Sequence, residues 1–90
     1  MPTDNQHELL EFPCEFPLKV MGASSGAFEE IVAKIVKSHV DETLLMSLDS
    51  RTSSGGKYVS VTAVFEAQNR VQLDALYREL SGHPLVLMVL

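Results

Sequence analysis

The chain has 90 residues, which is the length of one domain, and its 46% hydrophobic and 21% charged residues exclude wholesale disorder. The formal net charge is −5, and the first fifteen residues hold four acidic residues and no Lys or Arg. No two basic residues are neighbours in the sequence, so we expect neither nucleic acid nor an anionic membrane as a partner.

The start of the chain predicts a tail followed by a strand. Residues 1–8 are polar and acidic, and we expect them to form a flexible tail before a single domain over residues 9–90. Beyond Pro13 the apolar side chains recur at every second position, which predicts a half-buried strand. Pro17 lacks an N–H donor, so we expect its N–H side to face an unpaired stretch. The apolar positions of this strand are Cys14, Phe16, Leu18 and Val20.

A run of glycine and serine at 22–26 separates this strand from a helix. Either Ser24 or Ser25 is expected to cap the first N–H groups of the helix. The apolar residues that follow are spaced at i, i+3, i+4, i+7 and i+8, which predicts one buried stripe on a helix that ends near His39–Val40. The stripe consists of Phe28, Ile31, Val32, Ile35 and Val36.

Two further strands and a hairpin are predicted in the middle of the chain. Residues 43–50 indicate a strand with Leu44, Met46 and Leu48 on one side. The polar loop 51–56 ends in two glycines and predicts a hairpin. Residues 58–67 form the clearest strand pattern, in which alternate residues face opposite sides. We expect Val59, Val61, Ala63 and Phe65 on the inner face, and Tyr58, Ser60, Thr62, Val64 and Glu66 on the outer face.

The last part of the chain predicts a helix and a final strand. Asn69, with Gln72 three residues later, resembles a capping box at a helix start. Gly82 and Pro84 mark the end of this helix. Residues 85–90 are apolar on both faces and predict a strand. The apolar stripe of the helix consists of Leu73, Leu76, Tyr77 and Leu80.

The predicted order of elements defines a fold class. Strands and helices follow one another as β-α-β-β-α-β, so a βαβ unit occurs twice, and crossovers of this kind are right-handed. We therefore predict an α+β protein with a ferredoxin-like β-α-β-β-α-β sandwich. This fold has a four-stranded antiparallel sheet with two helices on one face.

Five segments, taken in order, carry a resemblance to a known family. They are 9–13 (Leu-Leu-Glu-Phe-Pro), 19–22 (Lys-Val-Met-Gly), 56–61 (Gly-Lys-Tyr-Val-Ser-Val), 76–80 (Leu-Tyr-Arg-Glu-Leu) and 88–90 (Met-Val-Leu). In these segments the chain resembles the YbeD-like family of small bacterial proteins. The resemblance implies a cytoplasmic protein with a ferredoxin-like fold similar to that of ACT regulatory domains, which sense amino acids and other small ligands. It implies no catalytic residue.

The turn 22–26 is the first candidate site. N–H groups at a helix start, together with two hydroxyls, form a pocket for a small anion or carboxylate. The resemblance to ACT domains implies an amino acid as a further ligand. The resemblance to ACT-like domains also implies a ligand near the first strand-to-helix turn, usually against a second subunit. Plain capping and a tight turn use the same residue types, and this structural interpretation carries more weight. The candidate ligand-binding residues are Gly22, Ser24, Ser25 and Gly26.

The outer face of the predicted sheet is the second candidate site. Such an apolar patch is rarely bare in a monomer. Either the segment from Leu9 to Phe12 covers it, or a second copy of the chain or another protein does, and we favour partial cover by the segment. The face combines Tyr58, Ser60, Thr62 and Val64 with Lys19, Met21 and one side of the last strand.

Other function classes find no support in the residue pattern. Cys14 is the single cysteine, so an intrachain disulfide and a thiolate pair for a metal are both excluded, and a cytoplasmic location is the natural inference. The three histidines have no metal-binding spacing. We predict no catalytic residue, no metal and no cofactor. The predicted function is a non-catalytic, regulatory or ligand-sensing module, and the alternative is a protein–protein interaction adaptor without a small ligand.

A charge in the predicted stripe of the first helix tests the fold. The Ile35→Asp substitution is expected to unfold the domain, because an unpaired buried charge costs several kcal/mol against a total stability of about 5–15 kcal/mol. Thermal unfolding followed by circular dichroism measures this loss. A cooperative transition at the wild-type midpoint would contradict the predicted helix face.

Overall fold

Strands and helices follow one another in the predicted order β-α-β-β-α-β. The computed structural model describes residues 11–24 and 26–90, so the predicted tail 1–8 lies outside the described residues, as do Leu9, Leu10 and Ser25. A short 3-10 turn, Glu42–Leu44, precedes the second strand. The strands are β1 (Cys14–Ala23), β2 (Leu45–Thr52), β3 (Tyr58–Ala67) and β4 (Val86–Val89), and the helices are α1 (Phe28–His39) and α2 (Arg70–Ser81).

The four strands form one sheet in the order β2-β3-β1-β4. Each neighbouring pair is antiparallel. The central pair, β1 and β3, stays in register over the full length of both strands, from Cys14 opposite Ala67 to Ala23 opposite Tyr58. The two helices pack on the same side of this sheet, so the predicted ferredoxin-like fold class is confirmed.

Alternation along the two central strands creates the core. In β3 every second residue from Val59 to Ala67 is buried, and in β1 Leu18 and Val20 are fully buried. The predicted apolar stripes of both helices cover this side of the sheet. The buried helix residues are Phe28, Val32, Ile35 and Val36 from α1 and Leu73, Leu76 and Leu80 from α2, with Ile31 and Tyr77 partly buried beside them.

The prediction that Leu44, Met46 and Leu48 lie on one side of β2 is wrong. The ladder with β3 skips a residue between Leu45 and Ser47, which makes a β-bulge. Met46 lies in this bulge and is 54% exposed, whereas Leu45 and Leu48 pack against the core. A bulge places two residues of one strand opposite a single residue of its neighbour. The residues beyond the bulge therefore point to the side opposite to the one that strict alternation predicts. Leu44 instead ends the 3-10 turn.

The predicted Asn69 cap of α2 is confirmed, but the returning bond of the capping box goes to the N–H one residue before the N-cap. Asn69 Oδ1 accepts a hydrogen bond from the Gln72 N–H at 2.8 Å, and Gln72 Oε1 accepts one from the Gln68 N–H at 2.8 Å. Gln72 Nε2 also donates to the His39 carbonyl oxygen at 2.9 Å. The start of α2 is therefore tied to the end of α1.

The predicted serine cap of α1 is wrong for Ser24. The N-cap residue is Ala27, which makes no side-chain cap hydrogen bond, and Ser24 lies three residues before it. The Ser24 N–H instead donates to the Lys57 carbonyl oxygen at 2.8 Å. Because the chain is still bonded to the β2–β3 hairpin at Ser24, the helix begins only after the turn.

β4 covers only part of β1. The Lys19 N–H donates to the Leu90 carbonyl oxygen at 3.2 Å, and the Leu90 N–H donates to the Lys19 carbonyl oxygen at 2.8 Å. Pro17 lies two residues before Lys19, so its backbone N and C=O groups face the same edge of β1 as those of Lys19. At Pro17 this edge extends past the end of β4. The missing Pro17 N–H therefore removes no bond from this ladder, which agrees with the sequence prediction.

Gly22 lies where β1, the start of α1 and the segment before β4 approach one another. A Cβ atom at this position would overlap the Phe28 ring and lie 2.5 Å from the Leu85 carbonyl oxygen. The carbonyl belongs to the main chain that leads into β4, so it cannot move without shifting that strand. Gly22 is therefore required for space.

The Gly22→Ala substitution is expected to destabilise the fold by about 1–3 kcal/mol, because the added methyl group displaces the Phe28 ring or the main chain at Leu85. Gly26→Ala is the matched control, since a Cβ there meets nothing within 4 Å. We expect this control to change stability by about 0.5 kcal/mol or less. Urea unfolding measures both free energies, and equal stability of the two variants would contradict the packing role of Gly22.

Candidate functional site

The turn between β1 and α1 holds the first set of candidate residues. Ser24 and Gly26 are exposed, whereas Gly22 is buried against the Phe28 ring. Ser25 lies outside the described residues. The hydrogen bond from Ser24 to the Lys57 carbonyl oxygen joins this turn to the β2–β3 hairpin. The turn thus offers two of the predicted residues to a ligand and uses Gly22 for packing.

The charge at the start of α1 is unfavourable for an anion. Glu29 and Glu30 lie in the first turn of the helix, where their carboxylates already interact with the positive end of the helix dipole. A further carboxylate bound there would lie close to both of them. An ammonium group, by contrast, would be attracted to this side of the turn.

The second set of candidate residues forms one line on the sheet. Tyr58, Ser60, Thr62 and Val64 alternate along β3 with buried core residues, so they point away from the helices. We call this side of the sheet the open face. Across the β1–β3 ladder, these four residues are opposite Ala23, Met21, Lys19 and Pro17, in that order. Across the β2–β3 ladder, Ser60, Thr62 and Val64 are opposite Arg51, Asp49 and Ser47.

Apolar surface is exposed on the open face. Tyr58 is 49% exposed, and Met88, which is opposite Met21, is 51% exposed. Phe12 packs against the core, so it does not provide the cover of the open face that we expected from the segment 9–12. Leu9 and Leu10 lie outside the described residues.

A depression of about 460 Å³ lies where the open face meets the β2–β3 hairpin. We call it the hairpin depression. It includes Tyr58 and Ser60 from the predicted interaction face, but Thr62 and Val64 do not line it. Its lining consists of Met21, Arg51, Thr52, Ser53, Ser54, Tyr58, Val59 and Ser60.

Arg51 supplies the charge of the hairpin depression, and sequence reasoning did not single it out. Among the described residues, basic and acidic side chains meet at His39–Glu79 and at Arg70–Asp74, so Arg51 has no acidic partner there. Its place follows from the pairing of Arg51 with Ser60, which becomes visible only with the register of β2. A guanidinium beside several hydroxyls is a suitable site for a carboxylate.

The remaining polar groups lie away from the hairpin depression. His39 Nε2 lies 2.6 Å from Glu79 Oε1 and joins the two helices. Hydrogen bonds from the Thr43 N–H and hydroxyl lower the pKa of the Asp41 carboxyl, and burial raises the pKa of Tyr77.

In the described ranges 11–24 and 26–90, no three His, Cys, Asp or Glu side chains are grouped to hold a metal ion. None of the described helices has the length and apolarity needed to cross a membrane.

Sequence comparison places the chain in a family. The family described as "Protein of unknown function (DUF493)" matches residues 7–90. The chain is 44% identical over 82 residues to a UPF0250 protein of Paraburkholderia phytofirmans, covering 91% of this chain and 92% of the relative. It is 41% identical over 88 residues to a UPF0250 protein of Chromobacterium violaceum, covering 98% and 99% of the two chains. The protein belongs to this DUF493/UPF0250 family, which confirms the resemblance to YbeD-like proteins.

Solved structures share the fold at low sequence identity. Protein HP0495 of Helicobacter pylori has a TM-score of 0.71 at 18% identity, covering 100% of this chain and 94% of that chain. The ACT domain of GTP pyrophosphokinase from Chlorobium tepidum has a TM-score of 0.68 at 12% identity, covering 84% and 94%. The fold is therefore ACT-like, and neither the family nor these neighbours indicate a catalytic function.

Proposed function

We propose that the protein is a non-catalytic regulatory module of the ACT type, which senses a small carboxylate or an amino acid in the cytoplasm. The observation that carries this proposal is the 2.8 Å hydrogen bond from the Ser24 N–H to the Lys57 carbonyl oxygen. It joins the β1–α1 turn to the β2–β3 hairpin at one end of the sheet. A ligand bound at this end contacts both the β1–α1 turn and the β2–β3 hairpin. Its binding therefore stabilises the contact between these two segments.

The fold neighbours support this class of function. ACT domains, which the fold resembles, bind small ligands near the first strand-to-helix turn. The equivalent turn here is 22–26, and we propose that Ser24, Ser25 and Gly26 contact the ligand. Gly22 acts through packing, because it lets Phe28 lie directly under the turn.

The charges at this end of the sheet lie on opposite sides of it, because Glu29 and Glu30 are on α1 and Arg51 is on the open face. Glu29 and Glu30 attract an ammonium group toward α1, and Arg51 attracts a carboxylate toward the hairpin. A simple carboxylate would use the hairpin side alone.

Thermal unfolding in the presence of single amino acids and small carboxylates tests the proposal. A ligand at about 100 times its Kd stabilises the folded state by about 2.7 kcal/mol, so the Tm is expected to rise by several degrees. The corresponding amides at the same concentration are the control for nonspecific solvent effects. A flat response to every compound at millimolar concentration would contradict a ligand-sensing function.

A second candidate function is a protein–protein adaptor that uses the open face. The exposed apolar side chains there favour it, since Met88 and Leu90 are 51% and 58% exposed. The partner would be a second copy of the chain or another protein that covers Tyr58, Ser60, Thr62 and Val64. No small ligand is needed for this function.

Substitution on the open face separates the adaptor from the sensor. The double variant Tyr58→Ala with Val64→Asp is expected to lose proteins that the wild type retains from a host lysate, because it removes a ring and adds a charge. Val71→Asp on α2 is the control, since Val71 is 77% exposed on the helix side. Light scattering of the same proteins reports self-association. The open face is not the docking surface if the wild type and the double variant retain the same lysate proteins and also have the same mass by light scattering.

A further inference from the structure

Charge is unevenly distributed over the open face. Residues that are opposite one another on neighbouring strands form rows across the open face. The row through Thr62 contains Asp49 and Lys19, whose opposite charges balance. The next row toward the hairpin, through Ser60, carries the guanidinium of Arg51 and no acidic residue. The hairpin end of the open face is therefore locally positive, although the net charge of the chain is −5.

The polar groups around Arg51 match the two oxygens of a carboxylate. The planar fork of a guanidinium donates two parallel hydrogen bonds to one carboxylate. Ser53 Oγ already accepts a hydrogen bond from the Tyr58 N–H at 3.2 Å, which leaves its hydroxyl proton available for donation to an acceptor in the hairpin depression. A bound anion would thus be held by both a charge and a hydroxyl.

The apolar lining of the hairpin depression matches a short hydrocarbon chain. Met21 lies on β1 opposite Ser60, and the ring of Tyr58 is half exposed in the neighbouring row. Both side chains line the same depression as Arg51. Its volume of about 460 Å³ lies in the range of pockets that take small organic molecules.

We infer that the hairpin depression binds a small organic acid, with the carboxylate on Arg51 and the apolar part between Met21 and Tyr58. The inference rests on the proposed function, because it names the ligand class and the contacting residues for the same end of the sheet. It locates the main ligand contacts on the open face of the sheet, and the turn 22–26 contributes through its bond to the hairpin.

Binding of hexanoate, followed by amide chemical shifts in NMR spectra of the full chain, tests the inference. Saturable shifts are expected at the hairpin depression. The Arg51→Gln variant is expected to bind hexanoate about tenfold more weakly or worse, since a hydrogen-bonded charge pair is lost. Arg51→Lys keeps the charge without the fork and should recover part of the affinity. Neutral 1-hexanol should bind more weakly than hexanoate and be unaffected by either substitution.

Arg78→Gln is the matched control, because it removes the same charge from the last turn of α2. It is expected to change the affinity for hexanoate by less than about twofold. Equal affinities of the Arg51→Gln and Arg78→Gln variants would overturn the inference, as would a lack of saturable hexanoate binding by the wild type. If an amino acid or another carboxylate stabilises the wild type and Arg51→Gln equally, the proposed function stands and this inference fails.

Discussion

The continuous ladder between β1 and β3 determines what each side of this protein can do. Cys14 to Ala23 and Tyr58 to Ala67 remain in register from end to end, so the alternation of apolar and polar residues on one strand coincides with that on the other. One side of the sheet is therefore apolar enough to bury the stripes of both helices. No helix within residues 11–24 and 26–90 covers the other side, and the short strand β4 adds exposed apolar side chains to it. A core on one face and a potential binding surface on the other both follow from this one pairing.

The hairpin end of this ladder contains the contacts on which the proposed function rests. Gly22 allows the Phe28 ring and the main chain at Leu85 to approach β1, so the start of α1 and the start of β4 are anchored at the same point. Two residues later Ser24 bonds to Lys57, which anchors the hairpin there as well. Three connections of the chain are thus mechanically joined at one end of the sheet. Under the proposed function, a ligand bound at that end would act on both α1 and the sheet through these contacts.

Features that depend on local sequence could be predicted, and features that depend on backbone pairing could not. The alternation of β3 and the Asn69 cap of α2 are properties of a few neighbouring residues, and both are confirmed. The bulge at Met46 depends on how β2 meets β3, so Met46 and Leu48 do not share a side as their spacing predicted. The cap of α1 was predicted from a serine pair, but the hydrogen bond of Ser24 to the hairpin delays the helix. Arg51 belongs to a candidate site only through its cross-strand neighbour Ser60, which no motif in the sequence reveals.

Methionine methyl groups offer the most direct measurement of where a ligand binds. Met21 lines the hairpin depression, Met88 lies beside it on β4, and Met46 lies in the bulge of β2. In a protein labelled with 13C at the methionine methyl groups, hexanoate should shift the Met21 resonance strongly, Met88 less, and Met46 least. An unmoved Met21 resonance, together with shifts of the Ser24 and Gly26 amides, would place the ligand at the helix start and contradict a binding site on the open face.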